Sequence, residues 1–545
     1  MRTGAEILLD GLVGYGVDTI FCVPGESYLA ALDATYDRKN NLRVITCRQE
    51  GGVAYMTEAY GKLTGKPGVC FVSRGPGASN AMIGVHTAAQ DSTPMLVFVG
   101  HIPRCDVGRE AFQALDYHQV YSSIAKRVIT FNDVERIPEQ LQQAWSVATS
   151  GRGGPVVVEL PEDMLLDKSD VANLPAPNVT VAGPSPDALN QLFEVLDQSQ
   201  RPVILCGGAG WTPKASELLT RFSEQQVIPV ATAFRRSDSF DNLHPNYAGD
   251  LGINPNPELV RLMQNSDLII TIAARLGDVT TSGYEIFDVP DGISKRDDQK
   301  LVHVFINGEE LNSVYHADLG IVSHPELFLQ LACHHEKNQN PAHQDLRRRG
   351  VEKAHQDYRA FFAQPCDPDN NLRMFDVMGV IRKHVDNDTI LTCGAGLYTV
   401  FFQRYYQFRQ PGTQLASTNG SMGYSVPAAI SAKLQKPQST VLCFAGDGCF
   451  LMNGQELATA VQYKLNVIFL VVNNSVYGTI KSYQERQFPD RIVATDLQNP
   501  NFAVLAEAYG AFGGVVEKTE EFEPVFKEAL CCGKPAVIEL RVEYF

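Results

Sequence analysis

Residues 446–474 read GDGCFLMNGQELATAVQYKLNVIFLVVNN and follow directly on the apolar run TVLCFA at 440–445. That run is β-rich and ends on glycine, so it predicts a buried strand closing in a tight turn. A helix is expected to start near Asn453, with Glu456 at the third position beyond it in capping-box spacing. NVIFLVVNN (466–474) then reads as a second buried strand. Two strands joined through a helix form a parallel pair, the unit of a doubly wound α/β sheet.

Alone, Gly446-Asp447-Gly448 is an ordinary tight turn and Asn473-Asn474 an ordinary Asx turn. Together, across a strand–helix–strand span, they take on a chemical sense. Asp447 closes one buried strand, Gly448 lets the backbone approach a ligand, and Asn474 leaves the neighbouring strand with an amide oxygen. A carboxylate, an amide oxygen and a nearby main-chain carbonyl are hard ligands suited to Mg²⁺, which keeps its other places for water and phosphate. The expectation is a metal-bound diphosphate.

The same rhythm of short apolar runs and helical segments extends outward over the whole chain. Upstream, GVCFVS (68–73) precedes a Gly-rich turn, a small-residue helix near Ser79–Gln90 and MLVFVG (95–100); VILCGG, VIPVATAF, LIITIAARLG and LVHVFING lie between 203 and 308. Continuous apolar runs of this kind suit strands buried on both faces of a parallel sheet. Pro-, Ser- and Asn-rich stretches near 168–187 and 334–372 look like connectors, giving expected domains at 1–170, 185–335 and 370–545. The predicted fold class is α/β, with three doubly wound parallel-sheet domains whose ligands sit at the carboxyl ends of the strands.

Composition agrees and excludes several classes. At 545 residues the chain is too long for one core, and ~3 domains is the natural division. Hydrophobic residues make up 44% and charged residues 20%, an ordinary globular balance. The 46 Lys and Arg against 62 Asp and Glu leave a formal charge of −16. That sign repels phosphate backbones and anionic lipid, so neither nucleic acid nor membrane is an expected partner. The 12 cysteines form no CxxC pair, and Cys22, Cys70 and Cys443 sit inside apolar runs, as buried thiols do in a reducing compartment. Glu6 and Asp10 interrupt the first apolar stretch, unlike a signal peptide, and no uncharged run is long enough to span a membrane. The expected location is the cytoplasm.

The 446–474 segment resembles the diphosphate–Mg²⁺ motif of the thiamine diphosphate-dependent enzymes from its first residue to its last. The likeness covers essentially the whole chain, in the order pyrimidine-binding, central and diphosphate-binding domain. Its closest pattern is that of the acetolactate synthase-like 2-oxo acid decarboxylases and carboligases. RQEGGVAYMTEAYG (48–61) resembles the family segment holding the activating glutamate. This implies that Glu50 is the catalytic carboxyl, bonded to N1′ of the cofactor pyrimidine. GSMGYSVPAAI (420–430) resembles the pyrimidine-gripping loop, implying contacts through the Gly420 carbonyl and the Met422 backbone, with the Met422 side chain wedged between the two rings. CGAGLY (393–398) is a Gly-rich turn placed like the family's diphosphate-contacting segment, which implicates Gly394, Ala395, Gly396, Leu397 and Tyr398. With Asp447, Gly448, Cys449, Asn474, Val476, Tyr477, Gly478 and Thr479 they complete the implied cofactor site. Its metal ligands are Asp447, Asn474 and the Val476 carbonyl.

RGPGASN (74–80) resembles the family's GPGATN signature, and GREAFQALDYH (108–118) the loop that presents Phe112 and Gln113 to substrate. Ser27 and Tyr483 are further expected pocket residues. Some positions depart from the family pattern. Leu397-Tyr398 stands where synthases usually carry Gln-His, Val279 where a central-domain arginine falls, and Tyr483 where a tryptophan falls. The resemblance implies thiamine diphosphate and Mg²⁺ as cofactors and decarboxylation of a small 2-oxo acid with carboligation to a second carbonyl. It also implies a homodimer at least, and a homotetramer by preference, because Glu50 and the GDG motif come from different subunits in the family. FAD could occupy the central domain, but GGAG (207–210) is only a loose dinucleotide turn. Three other readings stay open at this stage: C–C cleavage of 2-hydroxy ketones or 2-hydroxyacyl-CoA, a flavin-linked 2-oxo acid oxidase, and a non-catalytic relative that keeps the cofactor.

Overall fold

A computed structural model describes residues 1–287, 298–335, 341–367 and 370–544. It contains three six-stranded, wholly parallel sheets. The α/β class expected from the apolar runs is therefore observed. The first sheet has β1 (Thr19–Cys22), β2 (Arg43–Thr46), β3 (Gly68–Val72), β4 (Met95–His101), β5 (Arg127–Thr130) and β6 (Pro155–Pro161), ordered β2-β1-β3-β4-β6-β5. The second has β7 (Pro202–Cys206), β8 (Val230–Thr232), β9 (Tyr247–Asp250), β10 (Leu268–Ile272), β11 (Lys300–Phe305) and β12 (Leu319–Val322), ordered β9-β8-β7-β10-β11-β12. The third has β13 (Ile390–Cys393), β14 (Gln414–Ala416), β15 (Val441–Gly446), β16 (Ile468–Asn473), β17 (Phe512–Val516) and β18 (Ala536–Arg541), ordered β14-β13-β15-β16-β18-β17.

The first and third sheets thus share one strand order, while the middle sheet follows the doubly wound 3-2-1-4-5-6 order. Its direction reverses between β7 and β10, and a crevice of about 260 Å³ opens there, lined by Gly207, Gly208, Arg236, Arg275 and Val279. Arg275 is the cation nearest in sequence to Val279, and it is already engaged. Its Nε donates to Glu310 at 3.1 Å and a terminal nitrogen to the Gln90 carbonyl at 3.3 Å.

One hydrophobic core joins the first and third units. At its centre, α1 (Glu50–Thr64) packs on α2 (Gly75–Asp91) and on α4 (Ser425–Gln435). Every residue of α1 from Gly51 to Gly61 is buried, including the polar Thr57 and Glu58, so the helix is covered on all sides. Small residues permit the close crossing. A Cβ placed on Gly84 would lie 2.3 Å from the Ala54 Cβ. Polar groups fix the register, with Tyr424 donating to Glu58 at 2.6 Å and Ser431 to the Met56 carbonyl at 2.7 Å.

The expected capping box near Asn453 is not observed. Helix α5 (Asp447–Asn453) begins at Asp447 itself, and a short 3₁₀ turn, Gly454–Glu456, follows it. Tertiary partners claim both side chains instead. Asn453 Nδ2 donates to the Gly423 carbonyl at 3.0 Å, and the fully buried Glu456 accepts from the backbone N–H of Arg48 at 2.9 Å and of Gln49 at 3.0 Å. Those two donors lie just before α1, where helical bonding leaves N–H groups unsatisfied. Among the described residues, no helix is long and apolar enough to cross a membrane.

Candidate active site

Asp447 stands at the carboxyl end of β15, where the strand turns directly into α5. Its carboxylate is held by three N–H donors. Oδ1 accepts from Gly448 N at 2.9 Å; Oδ2 accepts from Ser475 N at 2.9 Å and from Asn499 Nδ2 at 2.7 Å. Burial pushes this carboxyl above the ordinary aspartate range, and the hydrogen bonds from Gly448, Asn499 and Ser475 oppose that shift. Asn474 follows β16, and its Oδ1 accepts from Val476 N at 3.2 Å, which folds the Asn474–Gly478 loop back on itself. A second segment pins this loop: Tyr477 N donates to the Thr495 carbonyl and Leu497 N to the Ser475 carbonyl, each at 2.8 Å. Helix α6 (Gly478–Gln487) then begins.

The donor set fits Mg²⁺, being one carboxylate, one amide oxygen and one main-chain carbonyl with no thiolate or imidazole. It also leaves a group unsatisfied. The Thr479 Oγ1 is buried without a hydrogen-bond partner, the kind of orphan that a phosphate oxygen satisfies. Close packing explains the glycines beside it. A Cβ on Gly448 would lie 2.6 Å from the Tyr477 ring, and one on Gly446 2.9 Å from the Tyr398 ring.

Gly394 to Tyr398 form the turn between β13 and α3 (Thr399–Tyr405), with Gly396 at φ +141°. The Tyr398 hydroxyl turns inward. It accepts from Gly394 N at 3.2 Å and donates to Cys449 Sγ at 3.4 Å, while Ala395, Gly396 and Leu397 between them are half-buried. The Gly420–Met422 loop is tied to α1, because the Tyr55 hydroxyl bonds to Ser421 Oγ and lies 3.4 Å from the Met422 carbonyl. Gly420 adopts φ +65°.

Glu50 is the first residue of α1, whose N-cap Gln49 accepts from Gly52 N at 3.1 Å. Its Oε2 accepts from Asn80 Nδ2 at 2.9 Å, and its Oε1 lies beside Gly77 in the Gly-rich start of α2. The RGPGASN turn and the Glu50 carboxyl are therefore brought together. The Gly75 N–H donates to the Gln113 carbonyl at 3.1 Å, which places Gln113 next to the same turn, itself at φ +61°. Phe112 beside it is 73% exposed. Ser27 is fully buried against Gly100, with its Oγ 3.3 Å from Ser73 Oγ and accepting from Arg74 N at 3.4 Å. Tyr483 lies on exposed α6 with Arg486 stacked at 4.9 Å from its ring. Among the described residues, no hydrogen bond or ion pair joins Glu50 to Asp447 or Asn474 within one chain.

Four side chains that sequence reasoning did not assign to the site belong to its architecture. Asn80 and Asn499 each hold a carboxylate, Glu456 caps the approach to Glu50, and Tyr55 anchors the Met422 loop. Asn80 and Tyr55 lie within the 74–80 and 48–61 motifs and Glu456 within the 446–474 segment, whereas Asn499 is far from its target in sequence and carries no local signal.

Comparison with known proteins finds a family match in each of the three domains. Models of the N-terminal TPP binding domain, the central domain and the C-terminal TPP binding domain of thiamine pyrophosphate enzymes match residues 2–120, 189–331 and 394–540 in turn. The chain belongs to the thiamine pyrophosphate enzyme family. Within it, the chain is 30% identical to the probable acetolactate synthase large subunit of Methanocaldococcus jannaschii, over 99% of this chain and 92% of that protein. It is 28% identical to the acetolactate synthase of Bacillus subtilis, covering 99% and 93%, and 29% identical to the acetolactate synthase isozyme 3 large subunit of Escherichia coli, covering 97% and 92%.

Proposed function

We propose that this protein decarboxylates a small 2-oxo acid and joins the retained carbons to a second carbonyl, as an acetolactate synthase-like carboligase. The observation that carries the reading is the Asp447–Asn474–Val476 oxygen set beside the unpartnered Thr479 hydroxyl, in a chain similar over nearly its full length to proteins named acetolactate synthases. Bound thiamine diphosphate supplies the electron sink for the carbon chemistry.

This chain's residues do the positioning. Asp447, Asn474 and the Val476 carbonyl hold Mg²⁺. The turn from Gly394 to Tyr398, with Gly448, Cys449, Tyr477, Gly478 and Thr479, cradles the diphosphate. Gly420 and Met422 seat the pyrimidine, and Glu50 holds the proton at its ring nitrogen. Ser27, Phe112, Gln113 and Tyr483 shape the substrate end, Ser27 from behind the pocket wall.

Glu50 and the Asp447–Asn474 set sit on separate units of one chain, and among the described residues no hydrogen bond or ion pair joins them directly. A homodimer in which Glu50 of one copy faces Asp447 of the other completes the site, and we extend this to a homotetramer. The exposed Phe112 and Tyr483 side chains suit burial at such a junction. The buried, unpaired Cys22, Cys70 and Cys443 support a cytoplasmic setting.

The test is an end-point assay of purified protein with thiamine diphosphate and Mg²⁺, offering pyruvate, 2-oxobutyrate, glyoxylate and benzoylformate separately and following CO₂ and product mass. CO₂ together with a coupled product is expected, most strongly from pyruvate. Aldehyde without a coupled product would reduce the reading to a decarboxylase. Cofactor binding without CO₂ from any donor would overturn it.

A further inference from the structure

The geometry points to Asn499 as a positioning residue that holds Asp447 to single-oxygen coordination and so tunes the site toward Mg²⁺ and away from Ca²⁺. The inference rests on the metal assignment made above and goes beyond it.

A carboxylate oxygen offers two in-plane lone pairs. On Asp447, Oδ2 already accepts two donors, Asn499 Nδ2 at 2.7 Å and Ser475 N at 2.9 Å. Oδ1 accepts only the Gly448 N–H among the described residues, so the remaining lone pair belongs to Oδ1. The carboxylate is thereby prepared to give one oxygen to a cation. Mg²⁺ demands near-ideal octahedral geometry at about 2.0–2.1 Å, whereas Ca²⁺ takes 6–8 oxygens and readily uses both oxygens of one carboxylate. A clamp that occupies Oδ2 costs Mg²⁺ nothing and denies Ca²⁺ its second contact.

The clamp is itself braced. Asn499 Nδ2 also donates to Asn473 Oδ1 at 2.9 Å, as does Ser475 N at 3.1 Å, so the same two donors bridge Asp447 and Asn473. Asn473 Nδ2 in turn donates to Glu539 Oε1 at 2.8 Å, and Glu539 Oε2 accepts from Phe502 N at 3.1 Å. Asn499 therefore links the ends of β15, β16 and β18 through side chains, and its position is set by the fold around it. Residues that orient a metal ligand in this way typically alter affinity by about 10–100-fold when removed.

The test is calorimetric titration of Mg²⁺ and of Ca²⁺ into the full-length protein with thiamine diphosphate present, for wild type, Asn499→Ala and Asn499→Leu, which keeps the volume and removes the donor without adding a charge. Thermal melts beforehand verify folding, and Asn499→Leu decides the matter if the alanine variant does not fold. The expected result is a loss of about tenfold in Mg²⁺ affinity with Ca²⁺ weakened far less or strengthened, so that the preference between the metals narrows. Equal weakening for both metals would reduce Asn499 to a packing residue, and unchanged affinities would overturn the inference outright. If the wild type itself shows no metal-dependent cofactor binding, the functional reading fails instead. The two failures are thus distinct.

Discussion

The first and third units have the same strand order and share a core, yet they treat the carboxylate at their strand ends in opposite ways. In the third, Asp447 is gripped by three N–H donors and joined to Asn473 through common donors. In the first, Glu50 accepts one side-chain hydrogen bond among the described residues, from Asn80, and keeps an open edge beside Gly77. The difference suits the roles proposed for the two groups. A metal ligand gains from being fixed before the ion arrives, because the ordering cost is then met by folding. A group proposed to share a proton with a ligand needs a free face.

The contrast can be broken most severely at its rigid end. Asp447→Ala removes the only carboxylate of the metal set and should abolish Mg²⁺-dependent cofactor binding, read by calorimetry; tight metal-dependent binding in this variant would show the site to be misassigned. Next in size is Glu50→Gln, which keeps volume and removes the proton-holding group. Turnover should fall by about 10²–10⁴-fold while cofactor and metal still bind, and unchanged kinetics would sink the role given to Glu50.

A stability effect should follow from the bridge between the two units. Glu456→Ala strands the N–H groups of Arg48 and Gln49 and should cost on the order of 2–3 kcal/mol, seen as a lower denaturation midpoint. Glu456→Gln keeps the volume and an oxygen for both donors, so its interest lies in pH. Burial raises the Glu456 carboxyl above its ordinary value. For such an acid the folded state holds its proton longer than the unfolded chain. The stability it contributes is complete below the ordinary carboxylate range and declines as pH rises through the raised value. The glutamine variant lacks that decline, so the advantage of wild type over it should shrink from acid toward neutral pH in paired melts; a constant gap would count against the assignment. The smallest change is Asn80→Ala. One lost hydrogen bond to a partly open carboxylate should lower kcat by roughly 3–10-fold, and a loss as large as that of Glu50→Gln would mean that Asn80 does more than orient.

Much of this was readable in the residue string. The GDG and NN elements, the strand–helix–strand between them and the Gly-rich turns at 75–77 and 394–396 are local patterns, each demanded by backbone close approach at a strand end. Apolar runs located β3, β4, β7, β10, β11, β15 and β16 because both faces of a parallel sheet are buried. The reading failed where a local rule had a distant competitor. Asn453 and Glu456 satisfy the spacing of a capping box, yet Gly423 and the Arg48–Gln49 backbone take their side chains. Which part of Tyr398 is free was likewise not legible in the string: its hydroxyl is taken up by Gly394 N and Cys449 Sγ.

The sequence by itself determined the fold class, through short-range periodicity, and the family, through its motifs, and it supplied the ligand types proposed for the site, which depend on residue chemistry at strand ends. Only the tertiary structure decided which donors hold those ligands. Asn499 meets Asp447 across 52 positions and Arg48 meets Glu456 across 408. No spacing rule spans such intervals, because a hydrogen bond depends on where packed sheets bring two atoms in space, and its length along the chain leaves no trace in the local pattern.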